Sequence, residues 1–163
     1  MRRPASPVRR TRRGFQLRLS PQERQALRSL PAQLRELLER DDPSAARLFP
    51  PAYRDDPERN AEYEALVRDD LMAERLSSLQ VMEETLDASN LTEDQMAHWL
   101  GTLNNLRLVL GTRLEVTEDM DPADLREDQP DAHLLALYYY LGWLEEHVVR
   151  AMAEGLDPSG IED

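Results

Sequence analysis

The chain has 163 residues, 40% of them hydrophobic, and contains no cysteine. This length suits one domain with a buried core, and the lack of cysteine excludes disulfides, thiolate metal sites and cysteine nucleophiles. No apolar run is long enough to cross a bilayer, and no apolar segment follows the arginine-rich N-terminus. We therefore expect a soluble cytoplasmic protein that does not bind membranes.

The amino-acid usage favours helix. Leucine supplies 27 residues, against seven valines and one isoleucine, and β-branched residues are the ones that favour strands. The sequence predicts a mostly α fold, a single-domain helical bundle of about five helices with a small two-stranded β ribbon. We expect three regions: a disordered basic arm over residues 1–13, the helical domain over 14–156 and a frayed acidic tail over 157–163.

The net charge of −12 conceals two opposed regions. Residues 1–20 hold seven arginines and no acid, and removing their +7 leaves −19 on residues 21–163. An acidic body repels nucleic acid, so any DNA contact falls to the arm. Because a disordered arm offers charge without rigid base readout, we expect weak, sequence-indifferent contact at most. The alternative is a solubilising extension. The candidate nucleic-acid residues are Arg2, Arg3, Arg9, Arg10, Arg12 and Arg13.

Two short segments have strand character. Apolar and polar side chains alternate over Phe15–Leu19, and Leu114–Thr117 is short and partly β-branched. Neither segment satisfies its backbone alone, so we predict that the two pair with each other.

The first helix is predicted from its caps. Ser20 and Glu23 form a capping box, with Pro21 at the first helical position, and the helix runs to about Asp41. Pro31 removes a backbone donor inside this stretch, which predicts a kink or a break into two helices.

Beyond this helix, prolines mark residues 42–57 as a connector with room for one helical turn. Residues 115–131 carry eight acids and one arginine, which predicts a solvated loop. Three long helices are predicted around these segments, from Glu58 to about Asp87, from Thr92 to a terminator at Gly111, and from Pro130 to about Glu154.

The last predicted helix is apolar on two faces. Its core stripe includes Leu141 and Val148, and a second stripe runs through Leu135, Tyr139 and Trp143. Such a helix is either the central helix of a bundle or one wall of a groove. We favour the central helix, and the other arrangement makes Tyr139 and Trp143 a candidate aromatic interface.

No pattern typical of catalysis is present. The three histidines do not have the spacing of compact metal motifs, and no GxGxxG, phosphate-loop or GxSxG sequence occurs. We expect no enzymatic activity, no cofactor and no metal.

Eight polar residues lie within the apolar patterns of the connector and the two helices after it. A buried polar group without a partner costs about 1–3 kcal/mol, so we expect these residues to pair in a structural clasp or form a partner surface. They are Arg47, Tyr53, Asp55, Asp56, Glu62, Asn104, Asn105 and Arg107. The alternative is an enzyme or small-ligand-binding domain with a pocket near Arg47, Tyr53, Glu62 and Arg107.

The same segments resemble a known family. They read RLFPPAYRDDPERNAEYEALVRDDLMAER, WLGTLNNLRLVLGTRLEV and LYYYLGWLEEHVV in chain order. Together they resemble an actinobacterial domain-of-unknown-function family that includes the actinomycete oxidative-stress regulator (AosR), over about residues 14–154. The resemblance implies a regulator linked to transcription that acts through protein partners of the transcription machinery, and it brings no catalytic residue. Lacking cysteine, this chain has no disulfide with which to sense oxidants.

Overall fold

The computed structural model describes residues 5–51 and 53–155, and these contain five α-helices and three strands. The mostly α fold class is confirmed. The strands are β1 (Val8–Thr11), β2 (Gly14–Leu17) and β3 (Asn90–Leu91), and the helices are α1 (Pro21–Arg28), α2 (Leu30–Glu39), α3 (Pro57–Thr85), α4 (Glu93–Arg113) and α5 (Ala132–Glu154). Arg2, Arg3 and the predicted tail over 157–163 lie outside the described residues.

The predicted strand pairing is wrong. β2 is the middle strand of a three-stranded antiparallel sheet, in which it pairs with β1 on one side and β3 on the other. The disorder expected for residues 1–13 is therefore wrong for Val8–Thr11. Val8 and Phe15 are buried in the core, and this burial holds the ribbon against the helices.

Leu114–Thr117 is not a strand because α4 extends beyond its predicted terminator at Gly111. Glu115 adopts a left-handed backbone conformation with φ of 53°. The Val116 N–H donates to the Gly111 carbonyl at 3.0 Å, and this hydrogen bond, which spans six residues, caps the C-terminus of α4. Because the backbone of this segment folds back on α4, it does not present a row of N–H and C=O groups with which β2 could pair.

The predictions for the first helix and the connector are confirmed. The helix is interrupted at Ser29, between α1 and α2 and close to Pro31, and a 3-10 helix occupies Pro43–Leu48. The capping boxes at Ser20 and Thr92 are both formed.

The central helix is α4, not the final helix as we expected from its two apolar faces. α4 packs against α3, α5, the 3-10 helix and the sheet. Its Trp99 is fully buried and donates its indole N–H to Thr85 Oγ1 at 2.7 Å. α5 begins at Ala132 and buries one face, whereas Trp143 on the opposite face is 37% exposed. None of the described helices is long and apolar enough to cross a membrane.

Candidate interaction surfaces

The structure does not form the predicted clasp, because the eight polar residues point to different surroundings. In the described part of the chain, Arg47, Asp55 and Glu62 are exposed and make no hydrogen bond or ion pair. Asn104 is exposed and Asn105 is buried in α4.

Tyr53 and Asp56 act locally around the start of α3. Tyr53 contacts Tyr63 edge-on, with ring centroids 6.3 Å apart, and the Arg59 guanidinium lies over the Tyr53 ring. Asp56 caps α3 by accepting the Arg59 N–H at 3.2 Å. A cavity of only about 10 Å³ lies nearby, between Phe49 and α3. Such a volume holds at most one water molecule, so this cavity is not a ligand pocket.

Arg107 joins α4 to α5 and does not reach the connector residues. Its Nη1 donates to Glu145 Oε2 at 2.7 Å, and its guanidinium lies over the Tyr138 ring, 5.3 Å from the centroid. A Cβ on Gly142 would lie 3.2 Å from Arg107 Nε, so glycine there leaves room for the guanidinium. Burial lowers the pKa of Arg107, but the bond to Glu145 more than offsets this and the pKa is raised overall.

One side of α5 carries a row of rings at three- and four-residue steps, of which Trp143 is exposed and the others are half-buried. We call Tyr139, Tyr140, Trp143 and His147 the aromatic face. Trp143 is its centre, with ring centroids 5.8 Å from Tyr140 and 4.8 Å from His147. The Trp143 indole N–H makes no hydrogen bond with the described residues. A large exposed ring with a free donor, such as Trp143, is typical of surfaces that bind partners.

Two grooves lie beside the aromatic face. The first has a volume of about 350 Å³ and lies between α1 and α5, with Glu23, His133 and Tyr140 among its lining residues. The second has a volume of about 210 Å³ and lies under the acidic loop, where Asp119, Asp121, Asp124 and Leu125 face Leu135 and Tyr139. Both grooves combine apolar walls with acidic edges.

Tyr140 is held at the edge of the first groove. Its hydroxyl donates to Glu23 Oε1 at 3.3 Å. Burial raises the pKa of the Tyr140 phenol far above its usual value, and the Glu23 carboxylate raises it further. Tyr140 is therefore a neutral donor at physiological pH.

The opposite charge is concentrated on the β1–β2 hairpin. Arg9, Arg12, Arg13 and Arg18 are exposed there, and we call these four residues the basic hairpin. Arg10 differs, because it pairs with Glu93 and lies over the buried Phe15 ring. Of the six predicted arm arginines, the structure thus places Arg9, Arg12 and Arg13 on a folded ribbon and commits Arg10 to an internal contact.

Sequence reasoning missed several members of these surfaces. Tyr140 and His147 were not singled out, although their three- and four-residue spacing from Trp143 was a usable signal. Glu145 was missed because its partner Arg107 is 38 residues away, and Arg18 was missed because its place near Arg9 depends on the pairing of β1 with β2. Within residues 5–51 and 53–155, no group of three or more His, Asp or Glu side chains is placed to hold a metal.

A family model described as a domain of unknown function (DUF2017) matches residues 4–152, and the chain belongs to this family. No curated protein matches the chain. No solved structure matches it either.

Proposed function

We propose that this protein is a non-enzymatic regulatory or adaptor protein, acting in the cytoplasm, that docks a protein partner on the aromatic face of α5. The observation that carries the proposal is Trp143, a large ring 37% exposed at the centre of a row of rings. Leaving such a ring in water forgoes the free energy of burying its apolar area, and a partner recovers that free energy.

The charges around the aromatic face indicate the chemistry of the partner. Glu23 lines one groove, and three aspartates line the other. A partner segment with an apolar anchor flanked by arginine or lysine matches these edges in sign. The resemblance to the oxidative-stress regulator suggests a partner from the transcription machinery, so we propose a role linked to transcription in the stress response.

Crosslinking in the native host, followed by a binding titration, tests this proposal. A photo-crosslinking amino acid with an aromatic side chain, which keeps a ring at position 143, should capture a discrete protein in the native host, and mass spectrometry then identifies that protein. The same group at Leu66, which is 78% exposed on α3, is the matched control for accessibility alone. The captured protein should then be purified and titrated against the wild-type chain and Trp143→Ala, and we expect its affinity to fall at least tenfold in the variant.

Trp143→Ala should fold normally, because the Trp143 ring is not part of the buried core. The buried Trp99 remains as a fluorescent reporter of folding. Equal capture at positions 143 and 66, or unchanged affinity of Trp143→Ala, would refute the proposal. Concentration-dependent self-association lost in Trp143→Ala would instead identify a second copy of this chain as the occupant and would also reject the adaptor role.

A further inference from the structure

We infer that the basic hairpin is a binding site for the phosphodiester backbone of nucleic acid. The site is distinct from the aromatic face, and the inference does not depend on the proposed docking function. The site is defined by the arginine side chains that the ribbon exposes to solvent.

The register of the sheet separates two faces of the hairpin. Val8 pairs with Leu17 and Arg10 with Phe15, and these pairs lie towards the core. Arg9 pairs with Gln16, so both side chains lie on the solvent face. Arg18 reaches the same place, since its Nε donates to Gln16 Oε1 at 3.1 Å. The turn between the strands consists of Arg12 and Arg13.

None of the four guanidinium groups is neutralised by an acid among the described residues. This is unexpected by charge alone, because the chain has 32 acidic residues and several other arginines form ion pairs with them. Residues 5–28 contain seven arginines and only one acid, Glu23, which caps α1 and accepts from Tyr140. The hairpin therefore keeps its positive charge concentrated on an otherwise acidic protein.

A groove of about 520 Å³ adjoins this charge. Arg12, Arg13 and Thr11 line one side, and Asn90 and Leu91 of β3 line the other. The backbone of the hairpin passes very close to β3 at this groove. Gly14 has φ of 148°, and a Cβ there would clash with the Leu91 carbonyl oxygen. Only glycine permits this approach, which sets the turn beside β3.

The arrangement favours a phosphate polymer over a single small anion. The four guanidinium groups are spread along the ribbon and its turn, so one phosphate cannot reach them all. Guanidinium groups bind phosphate through two parallel hydrogen bonds. A duplex also releases counterions when its phosphates are neutralised, which offsets the repulsion from the acidic body. An acidic protein surface gains less from the same contacts.

The test measures binding of the full chain to a labelled 20-base-pair DNA duplex by fluorescence anisotropy over a range of salt concentrations. We expect the affinity to fall steeply with salt, with each neutralised phosphate contributing about 0.9 to the slope of log K against log salt. Arg12→Gln/Arg13→Gln should therefore reduce the magnitude of the slope by about 2. Arg9→Gln/Arg18→Gln should have a comparable effect.

The matched control is Arg47→Gln/Arg54→Gln, which removes the same charge from exposed, unpaired positions on the connector. Circular dichroism should show that all three variants fold, since none of the six arginines pairs with an acid in the described residues. Three results would overturn the inference: no binding at low salt, equal loss in the control variant, or equal displacement of the duplex by polyglutamate at matched charge. The last result would assign the hairpin to an acidic protein.

Discussion

The ion pair between Arg107 and Glu145 holds the central helix α4 to α5, and its removal should weaken that contact. Arg107→Ala leaves the Glu145 carboxylate without its cation, in a position where only 14% of the side chain is exposed. It also removes the guanidinium that lies over Tyr138 and fills the space left by Gly142. The variant therefore loses a charge partner and packing together.

The magnitude follows from the burial of each partner. Breaking a fully buried pair costs about 3–5 kcal/mol, and breaking an exposed pair costs about 0–1 kcal/mol. Arg107 is 35% exposed and Glu145 is less so, which places this pair between the two limits. Adding about 0.5–1 kcal/mol for the ring contact, we expect a loss of about 2–3 kcal/mol in the free energy of unfolding.

Urea unfolding followed by circular dichroism measures this loss, and the melting temperature should fall by roughly 5–10 °C. The control is Arg150→Ala, because Arg150 pairs with Glu146 at 2.5 Å but both side chains are more than half exposed. We expect that control to lose less than about 0.5 kcal/mol. A double-mutant cycle with Arg107→Met and Glu145→Gln should give a coupling of about 1–2 kcal/mol. Equal losses for Arg107→Ala and Arg150→Ala, or no coupling, would show that the enclosed pair does not join the helices.

Two further predictions concern the turn glycine and the half-buried phenol of Tyr140. Gly14→Ala should destabilise the chain by at least about 2 kcal/mol, because its φ of 148° and its contact with the Leu91 carbonyl exclude a Cβ. Gly101→Ala on α4 should instead stabilise the chain by about 0.5–1 kcal/mol, because a Cβ there would make only an ordinary contact with Ser78 Oγ at 3.9 Å. Thermal unfolding of both variants checks the opposite signs. Ultraviolet titration should show a phenol component with a pKa well above the usual value for tyrosine, and Tyr140→Phe should remove it. Because the folded pKa of Tyr140 is raised, its contribution to stability is present below the unfolded pKa of about 10 and is lost as the pH rises above it. A titration of Tyr140→Phe that still contains the late component would contradict this assignment.

Local signals in the sequence determined most of the helical architecture. The capping boxes at Ser20 and Thr92, the break beside Pro31 and the 3-10 turn in the connector depend on interactions within a few residues, which the sequence displays directly. The family resemblance and the missing cysteines could likewise be read without coordinates. The second apolar stripe of α5, which includes Trp143, could also be read from the sequence.

Contacts between distant segments decided the rest. Whether α4 or α5 is central depends on which helices surround it, and both helices carry enough leucine for either place. Arg107 lies within an apolar pattern on α4, but its ion-pair partner, Glu145, is 38 residues away on α5. The N-terminal ribbon was the largest error, because Val8 is one of only a few apolar residues in a segment dominated by like charges. Its burial became favourable only when β2 and α5 supplied a backbone edge and an apolar surface, which composition alone cannot reveal.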